Sequence, residues 1–255
     1  MNLICEYIKY IVSSKKRHGI HSPFVYNFTD KCLKSKINNA QKEFFNLLRA
    51  DFQYSKERII IHDLGAGSKK KGVDRSISSI YKNAAVSRKY GSLLYNISNH
   101  YKPKNTLELG TNLGIGTFYL AKGSPTATKI ITVEGDKTLH SIAERSILKY
   151  KQKNIECVHQ TFEQFLSTNK LVFDIVYIDG DHRSSSLKNY LYLLDSVTHD
   201  ETLFILDDIR WSQDMFDYWQ LLTTDSNYHL TIDLFRMGIL LKKKTKEKEH
   251  FTIRY

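Results

Sequence analysis

Acidic residues stand at the ends of three apolar runs in this 255-residue chain. Lys129-Ile-Ile-Thr-Val-Glu-Gly135 carries Glu134, Phe173-Asp-Ile-Val-Tyr-Ile-Asp179 ends in Asp179, and Thr202-Leu-Phe-Ile-Leu-Asp207 ends in Asp207, with Asp208 next. Gly-Asp-His follows Asp179 and adds Asp181 and His182. Open α/β sheets bind ligands beyond the carboxyl ends of their strands, so these acids are placed for chemistry. A glycine stretch precedes all three. In Thr106-Leu-Glu-Leu-Gly-Thr-Asn-Leu-Gly-Ile-Gly116 an apolar run reads as a buried parallel strand. It breaks at Gly110, and a helical pattern opens at Gly114. Glycines at such a turn let the backbone approach a ligand, and the helix N-terminus favours negative or electron-rich groups. An acid at the tip of the second strand, here Glu134, commonly holds ribose hydroxyls. Together they point to a nucleoside-containing cofactor. The dinucleotide pattern G-x-G-x-x-G fails, because Asn112 and Ile115 fill its later positions counted from Gly110, and Tyr119 its third counted from Gly114.

Leu107-Glu-Leu-Gly-Thr-Asn-Leu-Gly114 resembles motif I of the class I S-adenosylmethionine-dependent methyltransferases. Among them it is most similar to small-molecule O-methyltransferases of the catechol and caffeoyl-CoA type, over roughly Tyr90 to Leu241. The resemblance implies a Rossmann-like α/β fold with a mainly parallel sheet and a terminal antiparallel hairpin. It implies S-adenosylmethionine as cofactor, held around Glu108, Gly110, Thr111, Asn112, Gly114, Gly116, Glu134 and Gly135. Thr161 and Phe162 stand where the family contacts adenine. Tyr90 and Gly91 stand where related enzymes place a cofactor-facing loop, and Asp179 completes the set. The fold would bring Asp179, Asp207 and Asp208 together beside the cofactor's methyl group. Carboxylates in one cleft repel, so a cation is expected, and oxygen-only ligands suit Mg²⁺, Mn²⁺ or Ca²⁺. Metal-dependent members hold Mg²⁺ with an acid after the fourth strand, which Asp179 matches, and an Asp-Asn pair after the fifth. Asp207 and Asp208 match that pair, with Asp in place of Asn. Three residues after the first acid the catechol enzymes carry a lysine base; His182 stands there. An imidazole is a competent base for a hydroxyl already acidified by a metal. The implied reaction is methyl transfer to a hydroxyl of a small molecule, with Asp179 and His182 as catalytic residues.

The elements that must position these groups follow from hydrophobic spacing. Residues 1–100 read as a mostly helical extension. Its first helix carries Leu3, Ile4, Tyr7, Ile8, Ile11 and Val12 at helical spacing. The expected cover for these is the main domain or a partner in a homodimer, with a membrane-surface helix as the alternative. Arg17-His-Gly-Ile-His-Ser-Pro-Phe24 is a connector or a substrate-facing loop, Phe24 to Asp51 reads as helix, and Val73 to Ser98 reads as helix. Arg58-Ile-Ile-Ile-His-Asp-Leu-Gly-Ala-Gly-Ser68 imitates the glycine motif. Lys69-Lys-Lys71 then replaces the apolar start of a helix, and no acid-tipped strand follows. It reads as a structural turn, or otherwise as an anion-binding loop. From 101 to 241 strands alternate with helices, which requires a mainly parallel sheet covered on both faces. Residues 242–255 form a basic tail whose Phe251-Thr-Ile-Arg-Tyr255 could dock.

The formal net charge of +11 permits acidic partners, although much of it sits in Lys15-Lys-Arg17, Lys69-Lys-Lys71 and Lys242-Lys-Lys244. Methylation of nucleic-acid bases is disfavoured. Gly-Asp-His, rather than an Asn/Asp-Pro-Pro-aromatic motif, follows the strand at Asp179, and no RNA-binding module is recognisable. A non-catalytic S-adenosylmethionine-binding protein is the other alternative. No apolar stretch is long enough to span a membrane, and the N-terminus lacks a signal-peptide pattern. Cys5, Cys32 and Cys157 suggest neither a disulfide framework nor a metal knuckle, so a reducing cytoplasm is expected. Titration calorimetry should show that Glu134→Ala abolishes S-adenosylmethionine binding while Asp63→Ala leaves it nearly intact. A large loss in the second variant would make the first glycine loop the cofactor loop.

Overall fold

A computed structural model describes residues 2–15, 21–62, 72–242 and 248–255. Five apolar runs form parallel strands: β3 (Asn105–Leu109), β4 (Lys129–Glu134), β5 (Ile155–His159), β6 (Phe173–Ile178) and β7 (Thr198–Leu206). The hairpin β8 (Leu230–Leu234) and β9 (Met237–Leu241) joins through β9, antiparallel to β7. A last strand, β10 (Glu249–Thr252), pairs in parallel with β8. The sheet order is β10-β8-β9-β7-β6-β3-β4-β5. This is the α/β architecture the alternation of strands and helices demands. Leu107, Val176 and Phe204 lie on one face of the sheet, in a core with α8 (Phe162–Thr168), α9 (Ser184–Leu194) and α10 (Gln213–Thr224). Ile175, Tyr177 and Ile205 lie in the other core, with α6 (Ile115–Gly123), α7 (Lys137–Lys149) and a layer of N-terminal helices.

That layer fixes α6, whose first turn is the glycine loop. α3 (Asn39–Gln53) lays Phe45 on the Tyr119 ring, with centroids 3.7 Å apart. Arg49 is buried between them and Val86, donating to the Val86 carbonyl at 2.6 Å. α5 (Arg88–Tyr101) approaches α6 closely because of two glycines. A Cβ at Gly91 would lie 2.3 Å from the Tyr119 ring, and one at Gly123 would lie 2.2 Å from the Tyr95 carbonyl oxygen. Gly91 therefore lies in a helix and packs it against α6.

The N-terminal third corrects several expectations. The helix read over 24–51 is two: α2 (Pro23–Phe28) runs into a π-turn ending at Leu33, and α3 restarts where the Asn38 side chain accepts from the Gln41 amide. Residues 73–76 form a strand, β2 (Val73–Ser76), antiparallel to β1 (Arg58–Ile61), rather than the start of a helix. Arg58 pairs with Asp74 across this hairpin at 2.9 Å, and the Ser76 hydroxyl caps α4 (Ile77–Ala84). The loop holding Asp63 and Gly65–Ser68 lies outside the described residues, as do 16–20 of the connector. α1 (Leu3–Ser13) is a helix, but the main domain does not cover its apolar positions: Leu3, Ile4, Ile8 and Val12 are exposed. The helix is seated from its other side, where buried Tyr10 bonds the Ile253 carbonyl and packs on Arg210. The tail docks too, since β10 extends the sheet and Tyr255 Oη donates to the Lys89 carbonyl at 2.8 Å.

Gly123→Ala places a methyl against backbone that no side-chain rotation can clear. Urea unfolding should show a loss of roughly 1–3 kcal/mol. Leu221→Ala, on an exposed face, should leave the midpoint within error.

Candidate active site

The strand order reverses between β3 and β6, which makes their carboxyl ends a topological switch point and a crevice for ligands. Two turns meet there. Gly110 has φ +104°, and a Cβ on it would stand 2.1 Å from the Asp179 carbonyl oxygen. The Asp179 amide donates to the Leu109 carbonyl at 2.8 Å. Gly114, at φ +80°, turns the chain into α6. Between them the Asn112 amide donates to Glu134 Oε2 at 2.8 Å, while Glu134 Oε1 accepts from the Asp136 amide at 2.9 Å. Asp136 caps α7 through the Thr138 and Leu139 amides and takes the His62 amide at 2.6 Å. Asn112 Oδ1 is buried with no partner among the described residues, an acceptor that a bound ligand's donor could satisfy.

Several residues expected around a cofactor have other contacts. Glu108 lies under α6, not on the open face of the loop. Its Oε2 accepts from the Thr117 hydroxyl and, at 2.6 Å, from the Thr132 hydroxyl, which also meets Thr111 at 2.6 Å. A Cβ at Gly116 would come within 2.6 Å of Glu108 Oε1, so this glycine makes room for the carboxyl. Burial pushes Glu108 up to about 7, against the pull of its two hydroxyl donors. Thr161 caps α8 by a reciprocal bond with Gln164. Phe162 packs over Gly180 and edge-on to Tyr190. The Gly135 carbonyl faces His159 Nε2 at 3.1 Å. Tyr90 reaches across the sheet to donate to the Leu234 carbonyl at 2.8 Å, beside the hairpin turn.

The acids do converge, but not as the expected trio. Asp179, His182 and Asp208 each offer one ligand atom, all within 4.8 Å of one another. His182 Nε2 is 3.8 Å from Asp208 Oδ2, and its ring lies 5.1 Å from that of exposed Trp211. Asp207 is buried and already occupied. Arg236 Nε donates to its Oδ1 at 2.8 Å, and Tyr177 Oη stands 2.9 Å from its Oδ2. Tyr177 Oη is also 3.0 Å from Asp179 Oδ2, so its single proton can serve only one carboxylate at a time. Arg236 extends to Asp208 as well, at 3.1 Å. Arg236 is the residue missed in the sequence. It follows a hairpin turn at Phe235, and no motif marks it. Arg210, nearer to the acids in sequence, pairs instead with Asp233 at 2.7 Å. Asp181 is drawn away by Arg183 at 2.6 Å.

Residues 107–209 match a family model described as a methyltransferase domain. Over this stretch the chain is similar to a methyltransferase domain, and its sheet has the class I methyltransferase fold. The chain is 29% identical over 110 residues to a catechol O-methyltransferase of Niastella koreensis, an alignment covering 38% of this chain and 46% of the relative. The chain thus spans less than half the length of the curated relative it matches. Solved methyltransferases share the fold. The SAH-bound Podospora anserina methyltransferase PaMTH1 superposes with TM-score 0.62 at 16% identity, over 89% of this chain and 97% of that one. The O-methyltransferase TomG of Streptomyces achromogenes, solved with SAM, gives 0.56 at 16% identity, over 64% and 83%.

The electrostatics of the cluster follow from burial. Burial, then the charges of Asp207 and Asp208, holds Asp179 far above the usual carboxylate range. Asp208 is pushed up to about 7 by burial and then by Asp207, with Arg236 opposing. Burial lowers His182, which keeps its imidazole neutral near pH 7. Glu108 allows a test free of this coupling. Its native proton affinity exceeds that of the unfolded chain, so wild-type stability falls as pH rises from about 4.5 to about 7 and levels above. Glu108→Gln lacks that loss. Its stability relative to wild type should therefore rise across this window by roughly 3 kcal/mol, read from urea midpoints at pH 5 and pH 8.

Proposed function

We propose that this chain transfers a methyl group from S-adenosylmethionine to a hydroxyl of a small molecule at the β3/β6 crevice. The observation that carries the reading is the contact of two turns. The glycine loop tied to Glu134 touches the turn that presents Asp179 to His182 and Asp208. A nucleoside on the first would bring its reactive end toward the second. The neighbours named as SAM- or SAH-bound methyltransferases support the same cofactor. The site chemistry fits it as well, through the unpartnered Asn112 acceptor beside the contact of the two turns. When bound, the cofactor supplies an electrophilic methyl group, and a divalent cation would acidify the acceptor hydroxyl.

The chain's own residues do the rest. Asn112 and Glu134 orient the cofactor. Trp211, beside the His182 ring, borders the acceptor and limits water. Asp179 and Asp208 face the acceptor hydroxyl, and His182 Nε2 can accept its proton. Ionised together, the three carboxyls would outweigh the guanidinium of Arg236, and their crowding favours a proton on Asp179; a divalent cation on Asp179, Asp208 and, where it is not the base, His182 would displace that proton. That set includes an imidazole nitrogen, which moves the preference from Mg²⁺ or Ca²⁺ toward Mn²⁺.

EDTA should stop turnover, and Mn²⁺ should restore it. Asp179→Ala should reproduce the EDTA effect while calorimetric S-adenosylmethionine affinity stays within a few-fold. His182→Ala should slow the chemical step on the order of 10²–10⁴-fold. If His182 serves as base, the loss is partly rescued at higher pH with Mn²⁺ affinity unchanged. If it serves as ligand, Mn²⁺ affinity falls with it. Full activity in EDTA would remove the cation from the reading. Absence of S-adenosylmethionine binding by the wild type would remove the reading itself.

A further inference from the structure

α1 is inverted relative to an ordinary surface helix. Its outward side carries Leu3, Ile4, Tyr7, Ile8 and Val12, all substantially exposed, with Ile8 at 57% and Val12 at 82%. Its inward side carries Glu6, Tyr10 and Ser13, against Arg210, Asp233 and β10. The fold does not need this arrangement for burial, since only Tyr10 of the helix is buried. Five apolar residues on the open side of one helix call for a cover.

We propose that this face of α1 docks on an anionic lipid surface. Charge sets the choice. The one acid of the helix, Glu6, is turned inward with its side chain 14% exposed and is paired with Lys9 at 2.7 Å, so the helix offers no unpaired acid to repel an anionic surface. Lys15 follows, exposed, and the sequence continues with Lys16 and Arg17 on a chain of net charge +11. An apolar helix face with adjacent basic residues is the two-part signal for binding an anionic membrane interface. Area argues against a second copy. Eleven residues of helix are about 16 Å long, so a strip about 10 Å wide falls well short of the roughly 800 Å² per partner of a stable interface. No helix among the described residues is long and apolar enough to cross a membrane, so the contact is peripheral. α1 also borders the crevice, because Tyr7 packs edge-on to Phe235 at 5.0 Å, next to Arg236.

The test is co-sedimentation of the full chain with large unilamellar vesicles. Vesicles of phosphatidylcholine and phosphatidylglycerol in equal parts should pull the protein down. Phosphatidylcholine alone should do so at least tenfold more weakly, and 0.5 M NaCl should weaken the first toward the second. Ile8→Glu and Val12→Glu alter exposed side chains and should keep the thermal midpoint. Each should weaken binding to anionic vesicles at least tenfold. Wild-type protein left in the supernatant overturns the proposal, as does equal binding by both glutamate variants, which would place lipid contact elsewhere on the basic surface. A dimer in sedimentation velocity that Ile8→Glu dissociates, with no vesicle binding, would assign the face to a second copy.

Discussion

The domain depends on how closely the backbone passes itself at the carboxyl ends of β3 and β6. A hydrogen bond from the Asp179 amide to the Leu109 carbonyl draws the two turns together, and Gly110 can sit there because it carries no side chain. Everything in the crevice inherits its position from that contact. The loop beyond Gly110 reaches Glu134 through the Asn112 amide, and the turn beyond Asp179 swings His182 toward Asp208. α6, starting from the same loop, is clamped from behind by α5 and by the Phe45–Tyr119 stack. The glycines of the motif thus divide their labour. Gly110 permits the turn contact, Gly114 permits the entry into α6, and Gly116 makes room for the carboxyl of Glu108.

The second constraint is charge. Asp179, Asp207 and Asp208 would repel in a half-buried cleft, and the fold answers with Arg236 from the far side of the β8–β9 turn. Because Arg236 and Tyr177 occupy Asp207, the ligand atoms that gather within 4.8 Å of one another are those of Asp179, Asp208 and His182. Buried Asp207 becomes an anchor for the hairpin, while Arg236 also reaches Asp208 at 3.1 Å. The same hairpin is steadied by Tyr90, so the N-terminal layer reaches the charged cluster without contributing an acid or base to it.

From β3 onward the fold was legible in the sequence, because parallel strands buried on both faces announce themselves as apolar runs and each begins or ends at a turn residue. The strand tips bearing Glu134, Asp179 and Asp207 could be placed for the same reason. What could not be read was pairing between residues distant in sequence. Nothing near Asp207 signals Arg236, and nothing in Leu107-Glu-Leu says that Glu108 points under the helix rather than into the crevice. Before β3, short elements defeated periodicity. Val73–Ser76 forms a strand only because Arg58–Ile61 lies alongside it, and Asn38 splits a helix that apolar spacing had joined. The spacing of α1 predicted a helix correctly but left its cover open, since spacing shows that a stripe exists and not which way it faces.

One consequence of the Tyr10–Ile253 contact concerns the order in which the molecule can be assembled. The two residues are 243 positions apart, and the Tyr255 amide returns to the same hydroxyl at 3.0 Å. During synthesis α1 emerges long before β10 and has no seat until β10 has emerged and paired with β8. Contacts of such sequence separation close late and slowly. Through most of synthesis the helix is therefore an unattached apolar segment, available to chaperones or other surfaces well before the crevice exists.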